Sequence, residues 1–350
     1  MPGFFGSHLG VIDLTLPHSG KGWRIAGFGA ELRPVSKRNP VTGQVEALVA
    51  DDDAIVEIAR PVHDALLART DIEIGHSPIA LNSHFALLTQ SPPLALVAAA
   101  QADHLTRALA GTSLAGLPLL SAVAPFKAGG RGGPENYTDI AAGPLLSRHV
   151  SDLYIHPNSL SCLRVSGQDL ADWLERSVSL YHQIAPGAVD AALIDEDFPS
   201  FNFDTIHGIS YQIDLTEPPR FNTFGRVIAP DARRIRDLRY QGQPVRPDQM
   251  FALATNSYRA AGGVGFPGTG TSQVVYDGSE NNREVLAAYL RSGAVPAPSF
   301  PDWRFVPMPG SSVTVDLSPN AADHLAEVPH LGLEPLAQLA TGFRRFRLYL

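Results

Sequence analysis

Cysteine is almost absent from these 350 residues: Cys162 stands alone, so no intrachain disulfide can form and no cysteine-built metal cluster is available. Charge is sparse too. Only 18% of residues are charged and the formal net charge is −8, which disfavours nucleic-acid binding, because that role needs clustered Lys and Arg to displace counterions. The four arginines Arg233, Arg234, Arg236 and Arg239 sit among turn residues ahead of Gln241-Gly-Gln-Pro244 and are expected on a solvated surface. No apolar run is long enough to cross a bilayer, so no membrane partner is expected. The first residues, Met-Pro-Gly-Phe-Phe-Gly-Ser-His, lack the charged and apolar regions of a signal peptide. As written, the chain is expected to stay in the cytoplasm.

Several catalytic signatures are missing as well. There is no Walker A loop, no Gly-x-Ser-x-Gly elbow, no His-Glu-x-x-His, no Asp-x-His and no Gly-His-x-His. Gly75-His76-Ser77-Pro78 begins like the last of these but has proline where the second ligand would sit. The twelve histidines are therefore expected as surface or core fillers, and neither a catalytic residue nor a metal ligand is assigned. Gly263-Val-Gly265-Phe-Pro-Gly268 has the letters of a dinucleotide fingerprint, but Pro267 denies it the helix N-terminus that would hold a pyrophosphate. Asn136-Tyr-Thr138 has the form of a glycosylation acceptor, a pattern short enough to arise by chance.

Apolar residues make up 44% of the chain, enough for a substantial core. Val11 to Leu16 and Trp23 to Leu32 alternate around the turn residues His18–Gly22, predicting a β-hairpin. Pro34 to Gly43 reads as a linker. Asp51-Asp-Asp53 caps an apolar stripe through Ile55, Ile58, Val62 and Leu66, a helix that Pro61 should kink or split. Leu94 to Leu109 reads as a buried helix and Leu117 to Ala124 as a buried strand. A helix opens at Gly167 with Leu170, Trp173, Leu174 and Tyr181 on one face. Ile209 to Leu215 and Phe251 to Thr255 are short strands, and Asn282 to Leu290 is a last helix. Without a regular βαβ repeat, and with 31 Gly and 29 Pro favouring long ordered loops, the fold class is α+β, or irregular α/β.

Two segments rise above this background. Ala124-Pro-Phe-Lys-Ala-Gly-Gly-Arg131 and Thr255-Asn-Ser-Tyr-Arg-Ala-Ala-Gly-Gly263 each set a Gly-Gly turn beside an aromatic and a basic group. Gly129-Gly130 lets backbone approach a ligand closely and Arg131 offers a planar fork to phosphate or ribose oxygens. Tyr258 can present its ring face to a base, with Gly262 and Gly263 behind it. Spacing alone serves equally well for two ordinary glycine turns with a structural arginine and a core tyrosine.

These segments, together with Gly6–Leu14, Asp152-Leu-Tyr-Ile-His-Pro-Asn158, Asn202-Phe-Asp204, Tyr211-Gln-Ile-Asp214 and Gly268-Thr-Gly270, occur in the order seen in the bifunctional 2',3'-cyclic-nucleotide 2'-phosphodiesterase/3'-nucleotidase branch of the 5'-nucleotidase family, which the chain resembles from Met1 almost to Leu350. The resemblance implies an N-terminal metallophosphatase domain with two metal ions followed by a C-terminal substrate-binding domain. Residues 1–35 resemble only the closing hairpin of the first domain, residues 36–70 a linker and connecting helix, and residues 71–350 the 5'-nucleotidase C-terminal domain. The two divalent metals and every catalytic residue are then expected outside this chain, leaving it without a cofactor.

By the same resemblance Tyr258 falls on one aromatic of a base sandwich, and His156 where the other aromatic usually sits. Arg131 falls on a ligand-contacting arginine, and Arg259 to Val264 on the loop behind Tyr258. Phe126 and Lys127 match the branch's own pattern and point to cyclic and 3'-nucleotides. The implied substrate-binding set is Phe126, Lys127, Gly129, Gly130, Arg131, His156, Tyr258, Arg259, Gly262 and Gly263. The implied role is nucleotide catabolism, in a family that is periplasmic or otherwise extracytoplasmic. Three readings follow: a nucleotide-binding domain left by a frameshift or misplaced start, a module serving a separate metallophosphatase chain, or an intact hydrolase with an unrecognised site. The first two make the chain inert alone.

Overall fold

The computed structural model describes residues 6–39, 45–293 and 303–350. The chain divides into two units, residues 1–67 with 340–342 and residues 68–339 with 343–350.

In the first unit, strands His8–Thr15 and Gly27–Pro34 pair antiparallel in the register Leu14 with Phe28 and Val11 with Glu31. The alternation that predicts the hairpin is real, but Ile12, Trp23 and Phe28 remain exposed. Part of the expected linker is instead strand: Ser36–Arg38 pairs with Val45–Ala47, a local pairing that composition does not reveal, while residues 40–44 lie outside those described. The helix Asp53–Thr70 runs unsplit through Pro61. Proline removes one hydrogen bond and crowds one carbonyl, a cost that 18 residues of continuous helix absorb. Asp52 provides the cap, accepting from the Ala54 and Ile55 amides at 3.0 and 3.1 Å.

The second unit is an α+β fold around a mixed five-stranded sheet. Its strands, in chain order, are β1 (Leu119–Val123), β2 (Ser159–Ser166), β3 (Thr205–His207), β4 (Met250–Asn256) and β5 (Val274–Asn281), lying side by side as β3-β1-β4-β2-β5. β1 and β4 are parallel, and β2 runs antiparallel to β4 with Leu160 opposite Asn256. Both faces are covered, which is why the central strands read as nearly continuous apolar runs. Leu120, Ala122, Leu163, Val165, Phe251 and Leu253 face one core with Trp173, Leu174 and Phe203. Val123, Leu160, Cys162, Ala252 and Ala254 face the other, with the helices Pro92–Ala108 and Asn282–Arg291. Burial pushes the Cys162 thiol up to about 12, so it is no nucleophile at neutral pH.

Local signals account for the helix starts. Pro92 and Pro93 occupy the first turn of one helix, where the missing amide hydrogen costs nothing. Ser166 and Asp169 form a capping box at the start of the helix Gly167–Ser177, each side chain accepting the other's backbone N–H at 3.1 and 2.8 Å. That helix ends at Ser177, and Tyr181, expected on its face, lies beyond it yet is buried.

The arginine cluster departs from its expected surface position at one residue. Arg234 is fully buried and its guanidinium donates to the carbonyls of Glu217, Val178 and Tyr181 at 2.9, 2.9 and 2.6 Å. Glu175 beneath it accepts from the Arg234 and Ile235 amides at 2.7 and 2.9 Å. A guanidinium is tolerated inside when its donors meet converging carbonyls, a convergence made by chain segments far apart in sequence.

Partly buried neutral histidines make the fold acid-sensitive. His207 is pushed down to about 4 by burial. His149 is also lowered, by burial first and then by Arg148, and its Nδ1 accepts from the Leu146 amide at 3.1 Å, which a protonated ring cannot do. The unfolded chain binds these protons near pH 6.5 while the fold refuses them, so stability is full above about pH 6.5 and falls as pH drops toward about 4. Denaturant midpoints should fall between about pH 7 and about pH 5, and an unchanged midpoint would refute this assignment.

Candidate functional site

Strand direction gathers the candidate residues. β1 and β4 run parallel and leave the sheet at the edge where the antiparallel β2 enters it. Three loops therefore meet one edge: residues 124–133 after β1, residues 154–158 before β2 and residues 256–266 after β4. All ten expected binding residues lie on them. A crevice outside strand ends is where open sheets hold ligands.

In the first loop Gly129 has φ +70°, and a Cβ there would lie 2.2 Å from Tyr137 Oη, so the position admits only glycine. Gly130 and Arg131 follow, both exposed, in the short turn Gly130–Gly132. Among the described residues the Arg131 guanidinium has no hydrogen-bond or ion-pair partner. Lys127, by contrast, is engaged: its ammonium pairs with Asp152, its carbonyl accepts from the Ser83 hydroxyl, and Thr138 Oγ1 donates to the Asp152 carbonyl at 3.0 Å. The lysine fastens the loop to the helix Ser147–Leu153.

Phe126 joins the first loop to the second. Its ring meets His156 edge-on at 4.8 Å and Tyr154 at 5.1 Å, both favourable aromatic geometries. His156 is exposed overall, and partial desolvation of its ring followed by the Arg283 charge lowers its pKa. The neutral, stackable imidazole is therefore its form at neutral pH.

Two positioning residues carry no sequence signal of their own. Arg283 donates to the Tyr154 carbonyl at 2.8 Å and to the Ile155 carbonyl. Asn282 donates from its amide and side chain to the Asn158 carbonyl at 2.9 and 3.1 Å, and is itself held through Gln101 to Ser121 of β1 at 2.8 Å each. Both arrive with the helix Asn282–Arg291, whose start therefore shapes the His156 loop.

In the third loop Asn256 caps the short helix Ser257–Ala260 by accepting from the Arg259 amide at 2.9 Å. Tyr258 is 51% exposed. Behind it, a Cβ on Gly263 would lie 2.6 Å from both Tyr258 Cε1 and the Tyr258 carbonyl, so the glycine packs directly against the ring. Gly262 opens this turn in the left-handed region, and Val264 follows at φ +53°, an unfavourable conformation for a β-branched residue. The turn Gly263–Gly265 is a 3-10 segment and offers no helix N-terminus to a dinucleotide.

Arg259 points away from the loop surface. It is buried, its Nε and Nη2 donating to the two oxygens of Asp204 at 2.9 and 2.8 Å, and Nη2 also to the Phe201 carbonyl at 2.8 Å. The Phe266 ring lies 4.0 Å from its Cζ, and Trp173 Nε1 donates to Asp204 at 3.0 Å. The guanidinium is thus committed to holding the Tyr258 turn onto the core.

The arrangement offers flat ring faces, an unpaired guanidinium and glycine-lined backbone, a set suited to a planar ligand bearing an anionic group.

Comparison with known proteins bears on this site. The family model of the 5'-nucleotidase C-terminal domain matches residues 73–271. The chain is 36% identical to the 2',3'-cyclic-nucleotide 2'-phosphodiesterase/3'-nucleotidase of Haemophilus influenzae, covering 100% of this chain and 54% of that protein. It is 37% identical to the protein of the same name from Salmonella typhimurium, covering 88% and 48%. The chain thus spans about half the length of these relatives. Among solved structures, the 5'-nucleotidase precursor of Thermus thermophilus shares the fold with a TM-score of 0.54 at 16% identity, over 86% of this chain and 50% of that one. The matched segment contains the sheet edge and all three loops, and the chain belongs to the 5'-nucleotidase family, with residues 73–271 as its C-terminal domain.

Proposed function

We propose that residues 71–350 are the nucleotide-binding half of a 2',3'-cyclic-nucleotide 2'-phosphodiesterase/3'-nucleotidase acting in nucleotide catabolism, with Tyr258 and His156 stacking on the base and Arg131 holding ribose or phosphate oxygens. The observation that carries this reading is the convergence of the three loops on one sheet edge, with the Tyr258 ring exposed and backed by Gly263. The names of the relatives from Haemophilus influenzae and Salmonella typhimurium support the choice of cyclic and 3'-nucleotides.

In this proposal a metallophosphatase domain, in the same polypeptide or a separate one, supplies two divalent metals that activate water and clamp the phosphoryl oxygens. The residues of this chain bind the base remotely from the reacting bond. That binding orients the phosphate, so loss of the pocket costs rate as well as affinity. Alone, the 350 residues bind and do not turn over.

Calorimetry with 3'-AMP and 2',3'-cyclic AMP is expected to show weak binding by the folded chain, and incubation with manganese to show no hydrolysis. Absence of binding would overturn the pocket. Hydrolysis abolished by a substitution within the chain would overturn the claim of inertness.

A further inference from the structure

His84, Asp139 and His324 are drawn together from three separate segments. Asp139 lies on a two-residue strand paired with Leu81–Asn82, opposite Asn82, and His84 follows that strand by two residues. His324 comes from the 3-10 segment Pro319–Glu327. His84 Nε2 lies 3.4 Å from one Asp139 oxygen and His324 Nε2 lies 3.5 Å from the other. One ligand atom from each of the three residues can be chosen so that all lie within 4.8 Å of one another. The two imidazoles face different oxygens of Asp139, so closing on one ion through a single carboxylate oxygen, with ligand atoms about 3.3 Å apart as in tetrahedral zinc, requires the three groups to draw in from the 4.8 Å within which they lie.

Two independent observations point to a ligand. His84 is 2% exposed, its Nδ1 has no hydrogen-bond partner, and its Nε2 meets only the Asp139 carboxylate at 3.4 Å, an arrangement that leaves the buried ring under-satisfied unless something is bound there. His324 is oriented as a metal ligand would be: its Nδ1 lies 2.8 Å from Glu327 Oε1, while Asn82 Nδ2 donates to the other Glu327 oxygen at 2.6 Å. A carboxylate on the far nitrogen fixes the tautomer and leaves Nε2 free to coordinate.

We propose that His84, Asp139 and His324 bind one divalent transition-metal ion of the zinc class, with Glu327 positioning His324. Two imidazoles and a carboxylate suit zinc, nickel or cobalt better than magnesium or calcium, which prefer oxygen-only shells. Asp139 and His324 retain solvent access, with side chains 37% and 19% exposed, leaving a path for the ion and a fourth position for water.

The ion lies behind the nucleotide loop. The His84 ring is 5.1 Å from that of Tyr137, the residue packed on Gly129. The neighbouring Ser83 hydroxyl donates to the Lys127 carbonyl and accepts from the Thr138 amide. The role of the ion is to clamp the segment Pro319–Glu327 to the strand pair formed by Leu81–Asn82 and Asp139–Ile140, beside the loop from Phe126 to Arg131.

Chelator-treated 350-residue protein, titrated with zinc chloride by calorimetry and checked by elemental analysis after desalting, is expected to take up about one equivalent and to melt at a higher temperature. His324→Ala and Asp139→Asn, both partly exposed and therefore expected to fold, should abolish that uptake. Glu327→Gln should weaken it about 10- to 100-fold. Cobalt chloride should give the visible bands of a low-coordinate site in the wild type and not in His324→Ala. Uptake that survives His324→Ala and Asp139→Asn, no uptake by folded wild type, or equal affinity for magnesium chloride would overturn the assignment. Nucleotide binding is read separately, so failure of either proposal leaves the other standing.

Discussion

Arg259→Ala is expected to destabilise the second unit by about 3 to 5 kcal/mol, the range for breaking one side of a buried ion pair. The pair with Asp204 is bidentate, and the two side chains are only 4% and 3% exposed. Removing the guanidinium leaves a carboxylate in the core with Trp173 Nε1 as its remaining side-chain donor. It also removes the donor to the Phe201 carbonyl and the cation resting on Phe266. Asp204→Ala should cost a comparable amount, and the double variant clearly less than the sum, because no charge is then left unpaired. Arg259→Lys should not restore stability, since an ammonium cannot present the two-pronged fork. Urea unfolding measures all four. A loss below about 1 kcal/mol for either single variant would show that the pair is not buried as described.

The other large effect falls on binding and leaves stability nearly unchanged. Tyr258→Ala is expected to weaken 3'-AMP binding by about 5- to 150-fold, the equivalent of about 1 to 3 kcal/mol of base stacking. Because the ring is half exposed, its removal opens no cavity, and the melting temperature should barely move. Tyr258→Phe keeps the ring face and should keep the affinity. Gly263→Ala tests the same geometry without altering the ring's chemistry: the added Cβ would fall 2.6 Å from both Tyr258 Cε1 and the Tyr258 carbonyl, so the ring and the turn behind it must both shift and affinity should drop. Calorimetry at matched salt reads all three. Wild-type affinity in Tyr258→Ala would remove the residue from the site.

Much of the architecture is legible in the residues themselves. The apolar run Leu117 to Ala124 contains the strand Leu119–Val123, covered on both faces, and the helix expected to open at Gly167 does so. Gly129 and Gly263 are glycines because neighbouring atoms exclude a Cβ, and the sequence shows both beside their aromatic and basic companions. Where the reading departs from the fold, the cause is tertiary. Pro61 is carried within a long helix, and Arg234 is buried by carbonyls from Val178, Tyr181 and Glu217. The histidines offer no motif because His84, Asp139 and His324 are distant in sequence and meet only through a strand pair and a returning 3-10 segment.

By itself the sequence determined the composition of the candidate site: local backbone constraint at the glycines, an aromatic and a cation beside each turn, and enough collinear motif to show the family. Only the tertiary structure decided which cations are free. Arg131, Arg259 and Lys127 look alike in a string of letters, yet Arg131 reaches solvent, Arg259 is neutralised inside by Asp204, and Lys127 is tied to Asp152. The reason is that partner choice is set by strand order and loop closure, which bring together charges separated by tens of residues, whereas backbone conformation is set within a few.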